Sequence, residues 1–581
     1  MTSESPDPRR WIALGIVLTA TFMQLVDVSI VNVAIPSIQR DLAASYAHIQ
    51  LVVAAYQLTF AVLLITGGRL GDIYGRKRIF MIGMAGFTLA SAACGLATHS
   101  SMLVAGRAVQ GLFSALLYPQ VLAVLHVTFP AHERSRAFGI MGGVVGIATI
   151  AGPLLGGSFI DWDLLGLGWR PIFLVNVPLG AASVAAAVYY LRESRSPHPL
   201  HLDIPGTLLA TLGLGLLIWP LAEGRQAGWP WWAFVCLAAS LVVLAFFAWY
   251  ERRLTDRGAS PLLNFHLFRD RGFNAGLLAA LTLFLGVPAF FFAFMLFLQV
   301  GLGYGALHAG LTTLPFAVGS AIASAASIRL TPRMGKRVLY LGTLALAGGM
   351  AMLIFEIGDS GIALQSLEML PALFVSGLGL GLSVAPLLNI VLAGVAHQEA
   401  GAASGVLSTA QRVGGAVGVT LIGVILFGLL GAHSEQTAER ASRELHRALA
   451  AEGLTGVPLR RLTRQLETCV RERASTPDPT TLPRSCRQIL ESTSNPGESE
   501  RPVTVLRDAL AKARAESYVF ATRHALLYEV GVFLIVGLLV VALPRAHPHA
   551  VGRSTEPVRA ARGGLPRSAP PDGPESARNT R

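Results

Sequence analysis

A single carboxylate, Asp27, stands in an otherwise apolar stretch from Trp11 to Pro36, with Asn32 as its nearest strongly polar neighbour toward the stretch's end. At mid-bilayer depth a carboxylate is costly when ionised and tolerable once protonated, so what reaches it, water or a cation, decides whether it holds a proton. Type and depth therefore suit Asp27 to carrying a proton. The alternative is a static polar network in which Asp27 and Asn32 tie this helix to its neighbours.

Arg107, preceded by Gly106 and followed by Gln110 and Gly111, is the electrostatic complement. Three residues along a helix bring Arg107 and Gln110 to one face at successive turns, while the glycines admit another helix. A guanidinium at that depth needs a partner. Asp27 is one, and carbonyls reached by snorkelling toward an interface are the other.

Two glycine motifs carry mechanical rather than chemical information. GRLGDIYGRKR, Gly68 to Arg78, sets Gly68, Gly71 and Gly75 around Asp72 and four basic side chains. This spacing suits a tight helix-loop-helix turn in which Asp72 caps a helix or pairs with an Arg of a neighbouring helix, latching one conformation. GGVVGIATIAGPLLGG, Gly142 to Gly157, combines Gly146, Gly152, Gly156 and Gly157 with Pro153. Close backbone approach together with a kink suits a hinge where two bundles meet, although static membrane interfaces also use GxxxG spacing.

The elements that must hold these residues are membrane helices. With 581 residues, 53% hydrophobic, 14% charged and a mean hydropathy of +0.56, the chain has more apolar surface than one water-soluble core could hide. Apolar length and punctuation place spans at 12–36, 49–68, 79–98, 102–124, 138–160, 171–191, 204–222, 231–250, 273–299, 306–328, 337–357, 364–392, 405–430 and 525–543. No cleavable signal sequence is evident, and the first stretch is expected to remain as a span. Nineteen basic residues fall on alternate short connections, against Arg40, Arg170 and Arg225 on the others. By the positive-inside rule those nineteen face the cytoplasm, as do residues 1–11 and the tail 544–581, and the long segment 431–524 lies outside.

The net charge of +12 does not indicate a nucleic-acid partner, because the Arg residues cap membrane helices, where anionic headgroups bind them. In 431–524, Leu445, Leu449 and Leu454 suggest a short amphipathic helix, and 475–483 reads as a turn-rich linker. Cys469 and Cys486 could pair there if the compartment is oxidising, or remain free thiols. No metal-ligand cluster, phosphate-binding glycine loop or nucleophile elbow is present, so neither metal nor cofactor is expected and ATP does not drive the chain directly.

Other bilayer charges are few. Glu356 and Glu368 fall near outer span ends, where they could attract cations or simply sit at the interface; His308 and Arg412 are equally open. Phe290, Phe291, Phe292, Phe294, Met295 and Phe297 are lipid-facing or packed core unless turned inward as a substrate wall. Asn32, Gln57, Gln110, Phe294 and Glu356 are the candidates for lining a cavity.

Together these stretches resemble the major facilitator superfamily, and the fourteen spans resemble its drug:proton antiporter branch. The resemblance is carried by LVDVSIVNVAIP (Leu25 to Pro36), GRLGDIYGRKR, LVAGRAVQG (Leu103 to Gly111), Gly146 to Gly157, and WRPIFLVNVPLG (Trp169 to Gly180). Arg69 stands where a small or apolar residue is common, and Pro171 where Trp is usual. The resemblance implies an all-α polytopic fold with a six-helix bundle at 12–191, linkers at 192–203 and 251–272, additional helices at 204–250, and a second bundle from 273–430 completed by 525–543. It also implies bundles that rock about a central cavity, Asp72 and Arg76 serving an inter-bundle latch, and Asp27 with Arg107 coupling protons to the export of lipophilic, often cationic compounds. The expected setting is the cytoplasmic membrane, with lipids, protons and small lipophilic molecules as partners. The chain reads as a monomer, and any accessory efflux protein is left open. A proton symporter or facilitator of a small metabolite is the alternative, and a receptor or enzyme using the outer segment a more remote one.

Overall fold

The computed structural model describes residues 9–543 apart from 197–200, 225–226, 264, 394–399, 452–462, 470–471, 473–483 and 488–499. The expected tail 544–581, the linker 475–483 and Leu454 lie outside the described residues, as do the side-chain surroundings of Leu449. Among the described residues there is no strand, and fourteen helices are long and apolar enough to cross a membrane, the number expected.

Helices α1 (Arg10–Asp41), α2 (Tyr46–Tyr74), α3 (Arg76–Gly95), α4 (Ser100–Thr128), α5 (Ala131–Asp161) and the pair α6 (Pro171–Leu174) and α7 (Asn176–Tyr190) form the first bundle. The second comprises α10 (Arg271–Leu296), α11 (Ala306–Thr312) continuing as α12 (Leu314–Met334), α13 (Arg337–Ser360), α14 (Ser366–Ala393), α15 (Ala400–Ala432) and α17 (Glu500–Val541). Between them come α8 (Ile204–Glu223) and α9 (Trp231–Asp256), and α16 (Ser434–Ala451) precedes α17. We name the two membrane faces by what they carry: the basic-loop face, with the Gly68–Arg78 turn, and the long-segment face, with α16.

Lipid gives helices no hydrophobic reason to associate, so packing depends on close backbone contact. At Gly67 a side chain would run into the Ala115 carbonyl of α4, and at Gly377 and Gly381 of α14 it would run into the carbonyls of Phe316 and Ser320 on α12. These glycines explain why α2 lies on α4 and α14 on α12. The inserted pair sits at the side, where Ile218 of α8 packs with Ala54 of α2 and Ala416 of α15. Its outer helix, α9, buries Ala233 and Ser240 and exposes Phe234, Val235, Leu241, Val242 and Phe246, the pattern of a helix facing lipid on most of its surface.

Arg69, the departure in the first glycine motif, anchors this pair. Its guanidinium donates to the carbonyls of His201 (2.8 Å), Ser260 (2.9 Å) and Pro261, which belong to the connections on either side of α8 and α9. Two nitrogens held in one rigid plane reach carbonyls on both connections at fixed directions, which a single ammonium does not. Arg69→Lys is therefore expected to loosen the 251–270 connection and to raise its proteolysis several-fold, with the rest of the chain unchanged; equal cleavage of variant and wild type would refute the anchoring role.

The last helix begins at residue 500, well before the expected boundary at 525. Hydropathy reports only the lipid-crossing part, and the polar turns from 500 onward continue the same helix out of the membrane. At 42 residues α17 is about 63 Å long. Its projecting part packs with α16 through Leu445, Ala513, Leu466, Cys469 and Cys486, helped by a 2.6 Å ion pair between Lys512 and Glu444. Cys469 and Cys486 are disulfide-bonded.

Candidate functional site

Asp27 and Arg107 meet inside the first bundle. Arg107 Nη1 donates to Asp27 Oδ2 at 2.6 Å, and Gln110 Nε2 donates to Asp27 Oδ1 at 2.8 Å. Arg107 also donates through Nε to the Val52 carbonyl (3.1 Å) and through Nη1 to Gln110 Oε1 (2.7 Å), and its guanidinium lies 4.3 Å from the centre of the Tyr56 ring. The two charged residues are each 1% exposed. A buried pair of this kind survives only when its remaining donors and acceptors are filled, and here α1, α2 and α4 each supply some of them. Of the two partners open to Arg107, the carboxylate and a backbone carbonyl, it has both.

The network extends beyond the residues singled out by type and spacing. Asn176 on α7 donates from Nδ2 to Asp27 Oδ1 at 3.4 Å and to Ser91 Oγ at 3.0 Å, and Ser91 donates on to the Phe173 carbonyl. Below it, the Tyr56 hydroxyl is 2.9 Å from Ser114 Oγ, and Gln24 Nε2 donates to the Ser114 carbonyl. The available signal was simple: Ser91, Ser114 and Asn176 are polar residues within apolar spans, each obliged to find a partner.

The Gly68–Arg78 turn engages its own bundle. Gly75 has a φ of 111°, a conformation that favours glycine, and it joins α2 to α3. Arg76 pairs with Asp72 at 2.8 Å within the motif, and the Asp72 carbonyl accepts from Ser196 N. Arg76 N donates to the Ser194 carbonyl and Lys77 N to Glu193 Oε1. The turn is thus docked on the chain that follows α7, and these contacts differ from the expected latch across bundles. Gly68 makes ordinary contact with Pro119, whereas Gly67 and Gly71 bear the close approach to α4.

The second glycine motif is divided between its own bundle and the contact with the second. Gly152 abuts Ser29 and Gly156 abuts Ile30, both on α1, while Gly157 faces α11: a Cβ there would lie 2.5 Å from Leu307 Cα and 2.9 Å from the Ala306 oxygen. On the opposing helix, a Cβ at Gly310 would lie 2.6 Å from the Pro153 oxygen. The surroundings of Gly146 lie outside the described residues. At the end of α5, Asp161 accepts from the backbone N–H groups of Ala306 and Leu307, which start α11. Gln299 Nε2 reaches the Val33 carbonyl at 2.8 Å, and the Tyr46 hydroxyl lies 3.3 Å from that of Tyr518 on α17. Together these contacts close the long-segment face.

The cavity candidates divide. Gln110 belongs to the Asp27 network. Phe294 is fully buried and stacks on Phe290 in the second bundle's core, so its role here is packing rather than lining. Gln57 is buried at the α2–α15 contact, where a Cβ at Gly415 would lie 2.6 Å from its Oε1. Asn32 donates to the Val28 carbonyl but leaves Oδ1 unpartnered. Glu356 is partly exposed near the end of α13. Arg412 lies 4.3 Å from the Phe60 ring, across the contact between bundles.

Known proteins agree with this architecture. The sequence profile of the Major Facilitator Superfamily matches residues 17–419. A probable actinorhodin transporter of Streptomyces coelicolor is 40% identical over 90% of this chain and 89% of its own length. Puromycin resistance protein pur8 of Streptomyces alboniger is 37% identical over 74% and 84%, and multidrug resistance protein Stp of Mycobacterium tuberculosis is 37% identical over 74% and 78%. Among solved structures, a bacterial homologue of the human lysosomal transporter Spinster aligns with a TM-score of 0.60 over 94% of this chain and 100% of that one, at 15% identity. Fourteen spans, two bundles closed against each other on one face, a sealed ion pair, and a relative 40% identical over nine-tenths of the sequence lead to one assignment: the chain is a transporter of the major facilitator superfamily.

Proposed function

We propose that this transporter exports lipophilic, often cationic compounds across the cytoplasmic membrane in exchange for protons. The observation that carries this reading is the Asp27–Arg107 pair with its satisfied surroundings. In the conformation closed on the long-segment face, the pair is neutral as a unit and water is excluded. When the bundles part, water reaching Asp27 can deliver a proton, and Arg107 then keeps the Val52 carbonyl, the Gln110 oxygen and the Tyr56 ring as partners. Protonation is therefore favoured in the open form, where the water that reaches Asp27 also solvates the Arg107 charge that these neutral partners hold but do not balance. Competition between proton and cargo for the two conformations would link the half-cycles.

Relatives named for actinorhodin transport, puromycin resistance and multidrug resistance support the direction and the breadth of cargo. The positive-inside rule favours a cytoplasmic Gly68–Arg78 turn, and the disulfide suits an oxidising space on the long-segment face. The test begins with a panel of dyes and antibiotics, screened for accumulation in pump-deficient cells with and without a protonophore. For a transported dye, reconstituted wild-type protein is expected to release protons on dye addition and Asp27→Asn to release none. Coupling that is unchanged in Asp27→Asn would remove Asp27 from this role.

A further inference from the structure

The last membrane helix carries an acid that the exchange scheme leaves unused. Glu529 on α17 is fully buried, and neither of its carboxyl oxygens has a hydrogen-bond partner. It lies against α10, where the absence of a side chain makes room: a Cβ at Gly286 would sit 2.8 Å from Glu529 Oε2 and 2.8 Å from Phe533 Cε1. Among the described residues, no helix packed on α17 brings a compensating charge to it. The charged residue of α10 is Arg271, at the basic-loop end; α13 has Arg337 at that end and Glu356 and Asp359 at the other, with Tyr340 one turn in. Arg412 of α15 lies over Phe60, α16 with its charged side chains stands beyond the spans, and on α17 itself the adjoining titratable group is Tyr528, whose hydroxyl is also unpartnered. A carboxylate with neither cation nor donor is strongly disfavoured in such a place, whereas the neutral acid is tolerated.

A path toward water is built on the same helix face. Thr522, fully buried with an unpartnered hydroxyl, precedes Glu529 by seven residues, two turns along one side. One turn further lies Tyr518, whose hydroxyl meets that of Tyr46 where the bundles close. From Tyr518 to Glu529 is about 16 Å along the helix. The unsatisfied Thr522 and Glu529 are where water enters once the bundles part at the Tyr46–Tyr518 contact above them.

We propose that Glu529 is a second proton-binding site, in the second bundle, which exchanges with water on the long-segment face along Tyr518 and Thr522 when the bundles part and holds its proton when they close. The site deepens the proton-exchange reading and rests on it only for a part in transport, because its occupancy can be read without any cargo. The test is infrared difference spectroscopy of the full-length protein in lipid at neutral pH. Wild type is expected to show the carbonyl band of a buried carboxylic acid, Glu529→Gln to lack it, and Asp27→Asn to keep it. Gly286→Ala, which presses on the carboxyl, is expected to shift the band, and Tyr518→Ala to speed its exchange in heavy water about tenfold or more. A wild type without the band, carbonyl absorption left unchanged by Glu529→Gln, or a band abolished by sodium would overturn the proton site; exchange unaltered by Tyr518→Ala would overturn the route. Glu251 is another fully buried carboxyl, so the Glu529 band is the component that Glu529→Gln removes. If Glu529→Gln does not fold, the wild-type band and the Gly286→Ala shift still decide. Unchanged coupling in Asp27→Asn beside a confirmed Glu529 band would instead defeat the role given to Asp27.

Discussion

Asp27→Asn is expected to destabilise the protein by about 3–5 kcal/mol at any pH, whereas Arg107→Gln should lose a similar amount near neutrality and recover it as the medium is acidified. The asymmetry follows from the chemistry of the two charges. Arg107 cannot shed its proton within a protein, so removing the carboxylate leaves a permanent cation 1% exposed among α1, α2 and α4. A carboxylate deprived of Arg107 has a remedy: it binds a proton that the unfolded chain at the same pH does not hold. Where the folded state holds more protons than the unfolded one, stability falls as pH rises and returns as pH falls. The double variant Asp27→Asn with Arg107→Gln should be milder than Asp27→Asn alone, because two amides can satisfy each other and the donors from Gln110 and Asn176. Thermal unfolding of the full-length variants in detergent across mildly acidic to mildly alkaline buffers measures all three. Parallel pH profiles for the two single variants would mean that the pair is not the electrostatic unit described.

How much of this could be seen in the sequence depends on the range of the interaction concerned. Fourteen spans were legible because the hydrocarbon thickness imposes a length on each apolar run, and no tertiary contact is needed to see it. Asp27 and Arg107 could be matched by charge and depth, although 80 positions separate them, because few other groups at that depth could neutralise either. The contributions of Asn176 and Ser91 could not, since an uncharged polar residue in a span has many eligible partners. Glu529 was overlooked for a different reason: it sits within a run apolar enough that a hydropathy window absorbs it. Arg69 could be flagged as a departure, but its partners are backbone carbonyls, which have no sequence signature at all. The extent of α17 was illegible because hydropathy ends with the lipid while the helix does not. Asp72 shows both sides of motif reading: its side-chain partner Arg76 comes from the motif itself, whereas the docking of the turn's backbone on Glu193 to Ser196 has no signature in the motif.

Gly157→Leu and Gly310→Leu are expected to cut transport by roughly 5–150-fold while leaving the chain folded, and to do so by prising the bundles apart on the long-segment face. Both positions are blocked by backbone rather than by movable side chains: the Leu307 Cα and Ala306 oxygen at Gly157, and the Pro153 oxygen at Gly310. A rotamer change cannot relieve either contact, so α5 and α11 must separate. Overpacking of this kind costs about 1–3 kcal/mol. That cost falls only on the conformation in which the two helices touch, so it acts as a shift in population between closed and open forms instead of a general loss of stability. Gly143 is the internal control, since it lies on the same helix with nothing within 4 Å of the position a Cβ would take. In a background with Cys94 and Cys236 replaced, Gln299→Cys reports the opening, because its side chain is held against the Val33 carbonyl while the face is closed. An impermeant maleimide added from the long-segment side should label that cysteine faster in Gly157→Leu and Gly310→Leu than in Gly143→Leu. Equal labelling in all three would show that the glycines merely fill space. Faster labelling with retained transport would show that closure at α5 and α11 is not the step that limits the cycle.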